Sequence, residues 1–139
     1  MLGALHLTND TTSTAGILLV AVVAIEYGGT FMLKVVRGKV PLTSFQRAFS
    51  RAGHAHAGVL VILSLVSLLY ADAADLSGIA DPLARNAIPL AAILMPAGFF
   101  FSMIGRDRTT PNRWVALLWA GAASLAVGVS ALGIGLLTA

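Results

Sequence analysis

Residues 114–139 read WVALLWAGAASLAVGVSALGIGLLTA, without a single charged side chain. A helix needs about 20 apolar residues to cross the ~30 Å hydrocarbon core of a bilayer, and this stretch is long enough. The run is continuously apolar rather than alternating between apolar and polar residues, which favours a helix over a barrel strand. The sequence therefore predicts a transmembrane helix over residues 114–138.

Three more stretches of the same kind account for most of the chain. Of the 139 residues, 58% are hydrophobic and only 11% are charged, whereas about a quarter of a soluble domain is charged. This composition leaves no room for a separate soluble domain. We therefore predict an all-α polytopic membrane protein, with residues 1–139 forming one domain in which four transmembrane helices make a bundle. The predicted spans are 14–36, 53–72, 86–105 and 114–138, and Thr and Ser residues at 11–14 are expected to cap the first helix.

The basic residues are concentrated in two of the three loops. Of the nine Lys and Arg residues, eight lie in or next to these two loops, and only Arg85 lies elsewhere. The positive-inside rule then places loops 37–52 and 106–113 in the cytoplasm and both termini outside, in the inner (plasma) membrane of a bacterial cell. This topology explains the net charge of +3, so no nucleic-acid partner is predicted. The acidic second loop, with Asp72, Asp75 and Asp81, is expected to be a solvated acidic run.

Several kinds of chemistry are disfavoured by what the sequence lacks. The chain has no cysteine, which excludes disulfides, thiolate metal sites and dithiol redox chemistry. It also has no HExxH motif, no nucleophile elbow, no phosphate-binding glycine loop and no paired carboxylates within the spans. We therefore do not expect an enzyme.

The fourth span carries a seam of small residues at heptad spacing. Helices in lipid gain little hydrophobic energy from each other, so close backbone approach must supply their attraction. The seam predicts a tight contact, with a helix of the same chain or of another copy. Its members are Gly121, Ser124, Gly128, Ala131 and Gly135.

The second span opens with two histidines, His54 and His56, beside a stripe of small and apolar residues. On a helix the two histidines diverge by ~200°, so they cannot chelate one ion together. His56 lies ~60° from the stripe and is the better candidate for facing the bundle, whereas His54 points toward another helix, a headgroup or the basic loop. The stripe consists of Gly53, Ala57, Leu60, Ser64, Ser67 and Ala71.

Glu26 is the most informative polar residue of the first span. It precedes Lys34 by eight residues, or ~12 Å on a helix, so it lies near the middle of the membrane. An acid at that depth is costly unless it is protonated, paired or hydrated, and is a functional candidate by default. Gly29 and Thr30 share its face, and a Glu26–His56 pair, direct or through water, is geometrically feasible.

The string from Glu26 to Lys34, EYGGTFMLK, resembles the first helix of the small multidrug resistance family. There, a membrane-embedded glutamate is followed by glycine at +3, threonine at +4 and lysine at +8. The resemblance implies a four-helix protein in which Glu26 is shared by protons and cationic substrates, within an antiparallel dimer. It covers one helix of four, and the third span lacks that family's tryptophan–glycine signature.

The segment RAGHAHAG, residues 51–58, provides a second resemblance. It is similar to a motif of an uncharacterised bacterial family of four-helix membrane proteins. It is also similar to histidine-bearing helices of small proteins related to haem–copper oxidase subunit I, which implies His54 or His56 as a ligand of haem or copper. The remaining histidine, His6, lies on the other side of the membrane, so several copies or a partner would have to complete such a site.

Three functions are consistent with these patterns. The first, which we favour, is proton-linked transport of a small solute or ion by a homo-oligomer, with Glu26 as proton carrier and His56 as relay. The second is a non-catalytic accessory subunit or assembly factor of a larger membrane complex, attached through the small-residue seam. The third is a haem- or copper-binding membrane protein.

Overall fold

In a computed structural model, which describes residues 6–74 and 76–138, the protein is an all-helical bundle. Helix α1 spans Asn9–Val36, α2 Ser44–Ala73, α3 Ala80–Ser102 and α4 Val115–Thr138. Each is long and apolar enough to cross a membrane. The predicted fold class, four transmembrane helices packed into a bundle, is confirmed.

Three helices begin earlier than predicted: α3 spans Ala80–Ser102 rather than 86–105, and the early starts of α1 and α2 follow from their capping residues. Thr8, not a residue of 11–14, is the N-cap of α1, and its hydroxyl accepts a hydrogen bond from the Thr11 amide. Thr43 and Gln46 form a capping box that starts α2 at residue 44, and in such a box each partner satisfies a free backbone amide of the other. Residues 44–52 are therefore helical, and the predicted loop 37–52 is wrong: the connection is only 37–43.

The helices pack in chain order, and α1 lies at one side of the bundle. The most extensive contact joins α3 to α4, followed by α2 with α3, while α1 packs mainly on α2. Helix α2 is central, and every member of its predicted stripe is buried. In α1, by contrast, only Thr11, Leu18 and Val35 are buried.

The seam of α4 faces α3. Gly121 and Gly128 are buried. A Cβ built on Gly121 would lie 2.8 Å from the Met95 amide nitrogen, and one built on Gly128 would lie 3.0 Å from the Ile88 amide nitrogen. Ser124 adds a hydrogen bond of 2.8 Å from its hydroxyl to the carbonyl of Ala87. Within this chain the seam is thus occupied by α3. The seam continues at Gly135, which packs against Leu76. Ala131, between Gly128 and Gly135 in the sequence, is half-buried.

The two basic loops meet at one end of the bundle. The Thr43 hydroxyl donates a hydrogen bond to the Arg108 carbonyl. The Gln46 amide donates to the carbonyls of Met103 and Gly105, at 3.0 and 2.8 Å. The start of α2 is therefore bound to the loop between α3 and α4.

Candidate functional site

Glu26 lies on an exposed side of α1. Its neighbours Val23 and Tyr27 are 66% and 77% exposed, so this side of the helix has no covering element in the chain. Among the described residues, Glu26 forms no ion pair. The carboxyl group is therefore presented at mid-span to whatever surrounds the bundle, whether lipid, water or another protein.

The two other residues predicted to share its site have separate contacts. The Thr30 hydroxyl donates a 2.7 Å hydrogen bond to the Tyr27 carbonyl, one turn earlier in the same helix. Its proton is therefore not directed at Glu26. Gly29 faces α2, where a Cβ built on it would lie 3.8 Å from Nε2 of His54.

His54, rather than His56, is the histidine that packs on α1. Its ring lies over Gly28 and Gly29, with Nδ1 3.5 Å from a Cβ built on Gly28. The absence of side chains at these two glycines makes room for the imidazole between the helices. Gly29 follows Glu26 by three residues, so the His54 ring lies about one helical turn from Glu26 along α1, on the side of Lys34.

His56 points toward α3, which corrects the expectation of a Glu26–His56 pair. Its Nδ1 lies 2.8 Å from the carbonyl of Ala52 in its own helix, and its ring packs on Phe99 with centroids 4.8 Å apart. The predicted direction of His56 was an angle from the stripe on α2, and that stripe faces α3 and α4 rather than α1. His56, which lies near the stripe, therefore points away from Glu26.

The divergence of the two histidines also bears on metal or haem binding. One ring faces α1 and the other α3, so the two cannot ligate one metal within a chain. In residues 6–74 and 76–138, no three metal-ligating side chains come together. A metal held by both His54 and His56 would therefore need ligands from more than one chain.

A polar network lies at the end of the bundle opposite the two basic loops, where α1, α2 and α3 meet. Arg85 donates from Nη1 to Oδ1 of Asp72 at 2.5 Å and to the Thr11 hydroxyl at 2.8 Å, and from Nε to Asp81 at 2.5 Å. The Asp72 side chain is 0% exposed, and it also accepts from the Thr8 amide at 3.2 Å. The network ties α1 to α2 and α3.

This network overturns the expectation of a solvated acidic loop. Asp72 and Asp81 are both paired with Arg85, whereas Asp75 lies outside the described residues. A cavity of about 310 Å³ adjoins the network, between α1, α2 and α3. Because hydroxyl, amide and charged groups line it, water can enter this end of the bundle there. The lining residues are Asp10, Ser13, Thr14, Leu68, Arg85 and Asn86.

One part of this network was readable from the sequence. Asp81 and Arg85 are four residues apart, the spacing of an ion pair on a helix. The Asp72–Arg85 pair and the Thr11 contact depend on how the helices assemble, and no local pattern encodes them.

The geometry alone guides the functional interpretation. Comparisons of the chain with family models, curated proteins and solved structures give no match. Resemblance through the EYGGTFMLK and RAGHAHAG segments therefore stays an expectation from the sequence.

Proposed function

We propose that the protein is a small multi-pass membrane protein that couples proton binding at Glu26 to transport of a small solute or ion. The supporting observation is that Glu26 is exposed in the middle of an apolar helix and has no ion-pair partner among the described residues. An ionised carboxylate is costly there. It is stable when it carries a proton or meets a cation, and alternation between these states is the elementary step of proton-linked exchange.

His54 replaces His56 as the second titratable group of this proposed site. It packs one turn from Glu26 on α1, and among the described residues its ring has no hydrogen-bond partner. Imidazole exchanges protons near neutral pH. Its place between α1 and α2, on the side of Lys34, provides a step for the proton between Glu26 and the basic end of the bundle.

A homo-oligomer completes the proposal. Three residues of α1 are buried within the chain, and a second copy packed on the exposed side would enclose Glu26 in protein. Polar groups within membranes normally face such an interior or a hydrated cavity rather than lipid.

The direct test is the protonation of Glu26 in purified protein. Carboxyl infrared difference spectra are recorded across pH 5 to 9 for the natural protein, Glu26→Gln and Asp10→Asn. A protonated band that titrates in this range, vanishes in Glu26→Gln and persists in Asp10→Asn supports the site. A shift of that titration in His54→Ala, but not in His56→Ala, supports the relay. A Glu26 carboxyl that stays in one state throughout overturns the proposal.

Function is then measured in proteoliposomes with an internal pH dye. Glu26→Gln is expected to abolish proton flux driven by a cation gradient, and Glu26→Asp to retain part of it. Flux that is equal in natural protein and Glu26→Gln would contradict transport through this residue.

A second candidate function, an accessory subunit of a larger complex, is favoured by the exposure of α1. Because the α4 seam is occupied by α3, α1 is now the surface through which a partner would attach. A photo-crosslinking amino acid at Tyr27, compared with one at Ile134 on the exposed side of α4, separates the two functions. Crosslinks at Tyr27 to a different polypeptide support the subunit, and crosslinks between copies support the homo-oligomer.

The proposed orientation has loops 37–43 and 103–114 in the cytoplasm and both termini outside. The charge distribution supports it. Since the chain has no cysteine, single cysteines at Lys39 and Ser77 can be labelled in whole cells with an impermeant maleimide. Labelling at Ser77 alone is expected, and labelling at Lys39 alone would reverse the orientation.

A further inference from the structure

A groove lies on the outside of the bundle where α3 ends and α4 begins. It has a volume of about 290 Å³ and is lined by Phe101, Ile104, Asn112 and Trp114. The three apolar members are 46%, 62% and 46% exposed. Their place next to the loop between two spans puts the groove at the level of the membrane interface, where tryptophan is enriched.

The walls of this groove are held by hydrogen bonds rather than by packing alone. The Asn112 amide donates to the carbonyls of Phe101 and Ile104, at 2.9 and 3.4 Å. Its side-chain oxygen accepts from the Trp114 amide at 2.9 Å. The Phe101 and Trp114 rings meet edge to face with centroids 6.1 Å apart. The groove is therefore a preformed feature of the fold.

A cation stands at the edge of this groove. The Arg113 guanidinium carbon lies 5.5 Å from the centre of the Trp114 ring, within the range of a cation–π contact. Arg113 is exposed, and in the described parts of the chain no acid pairs with it. Its guanidinium donors are thus available to an anionic group at the mouth of the groove.

The surrounding charge favours an anion as well. This end of the bundle carries the basic residues of both loops, and Asp107 is the acid beside them. Its contact with Arg106 is 3.4 Å long and almost fully exposed, with the side chains 84% and 95% accessible, so it neutralises little. A ligand that fits must combine an apolar chain with a negative headgroup.

We propose that this groove binds an anionic phospholipid. One acyl chain lies against Phe101, Ile104 and Trp114, and the phosphate accepts hydrogen bonds from Arg113. Arginine suits this role because its planar donors match phosphate oxygens. The site is separate from Glu26 and does not depend on the proposed transport function.

The two tryptophans of the chain provide the test. Trp119 is 69% exposed and lies within α4, five residues beyond Trp114, and it does not line the groove. Trp119→Phe therefore leaves Trp114 as the reporter of the groove, and Trp114→Phe leaves Trp119 as the reporter of the general lipid surroundings. Each is reconstituted with a phosphatidylglycerol or phosphatidylcholine that carries bromines on its acyl chain, which quench tryptophan on contact.

For Trp114, brominated phosphatidylglycerol is expected to compete about five-fold better than phosphatidylcholine, the ratio expected from one basic residue near an anionic surface. Trp119 is expected to show a ratio near one. Arg113→Gln in the Trp119→Phe background is expected to remove the preference, whereas Arg37→Gln, at the C-cap of α1, is expected to retain it. High salt should reduce the preference in the natural groove.

Four outcomes would overturn the proposal. Equal quenching of Trp114 by both lipids would show no anionic site. An equal preference at both tryptophans, or its retention in Arg113→Gln, would show a diffuse effect of the basic loops. Loss of the preference on addition of soluble glycerol phosphate would show that the groove's ligand is free phosphate rather than a lipid.

Discussion

The two outer helices of the bundle are attached in different ways. Helix α4 meets α3 through glycines whose missing side chains let the backbones touch, as at Gly121 and Gly128. Helix α1 meets α2 around a histidine ring that fills the space over Gly28 and Gly29. A glycine pair in a membrane helix can thus admit either a backbone or a polar side chain, and only the first makes a close backbone contact.

The same difference extends to the exposed surfaces. The small residues of helix α4 pack on α3. Helix α1, in contrast, leaves Glu26 uncovered and is bound near its N-terminus by the Arg85 network. The α3–α4 pair is therefore the closely packed part of the bundle, and α1 is the element with an exposed polar residue. The following predictions test this contrast, beginning with the largest effect.

Removing Arg85 should cost the most stability. Arg85→Met leaves the Asp72 carboxylate, whose side chain has no exposed surface, without its cation, and we expect a loss of about 3 kcal/mol, the lower end of the range for breaking a buried pair. The measurement is the unfolding midpoint in detergent. Arg106→Met, which breaks an exposed contact, should change little. If Arg85→Met unfolds like Arg106→Met, the network does not hold α1 to the bundle.

A large side chain in the α4 seam should have the next largest effect. A Cβ built on Gly121 would lie 2.6 Å from Met95 Cγ and 2.8 Å from its backbone nitrogen, so Gly121→Leu must force α3 and α4 apart. Overpacking of this kind costs about 1–3 kcal/mol. Gly133→Leu is the matched control on the same helix, because nothing lies within 4 Å of its Cβ position. Equal unfolding temperatures for the two variants would contradict the seam.

Substitution to alanine should have opposite effects on stability in α1 and in the α4 seam. Gly28→Ala places its Cβ 3.5 Å from His54, which is ordinary van der Waals contact, and alanine favours a helix over glycine by up to about 1 kcal/mol. We expect Gly28→Ala to be neutral or slightly stabilising and Gly121→Ala to be destabilising. Thermal unfolding of both variants in one detergent gives the signs. Destabilisation by both would show that α1 packs as closely as α4.

The smallest stability effect is expected at Glu26. Because its side chain is exposed and unpaired among the described residues, Glu26→Gln should shift the free energy of unfolding by less than about 0.5 kcal/mol. Circular dichroism melting of the detergent-solubilised protein measures this. A loss above about 2 kcal/mol would mean that Glu26 holds the fold or its oligomer together, and the residue would be structural.

Long apolar runs made the helices predictable, but their ends depended on local hydrogen bonds. The span over 53–72 was recognised from hydropathy, while the Thr43–Gln46 capping box that starts α2 at Ser44 was not. Hydropathy describes the part of a helix that lies in lipid, and α2 continues beyond it into the basic loop. Residues 44–52 of α2 were assigned to a loop because they are polar and charged, although they are helical.

In the candidate site, the sequence likewise did not predict which helix each side chain faces. Helical spacing showed that His54 and His56 must diverge, and that the seam and stripe are packing faces. It did not show which helix each face meets. His56 faces the bundle at Phe99, but it is His54 that meets α1, because at this level α1 contacts a different face of α2 from α3.

The sequence by itself determined that the chain forms four helices long and apolar enough to cross a membrane, that its basic loops share one end, and that Glu26 lies within the first apolar span. These follow from length, hydropathy and charge, which act on each segment separately. Only the tertiary structure decided that the α4 seam packs on α3, that Asp72 is buried against Arg85, and that Glu26 remains uncovered. Each of these depends on the order in which the helices pack, a property of pairs of surfaces that no single segment carries.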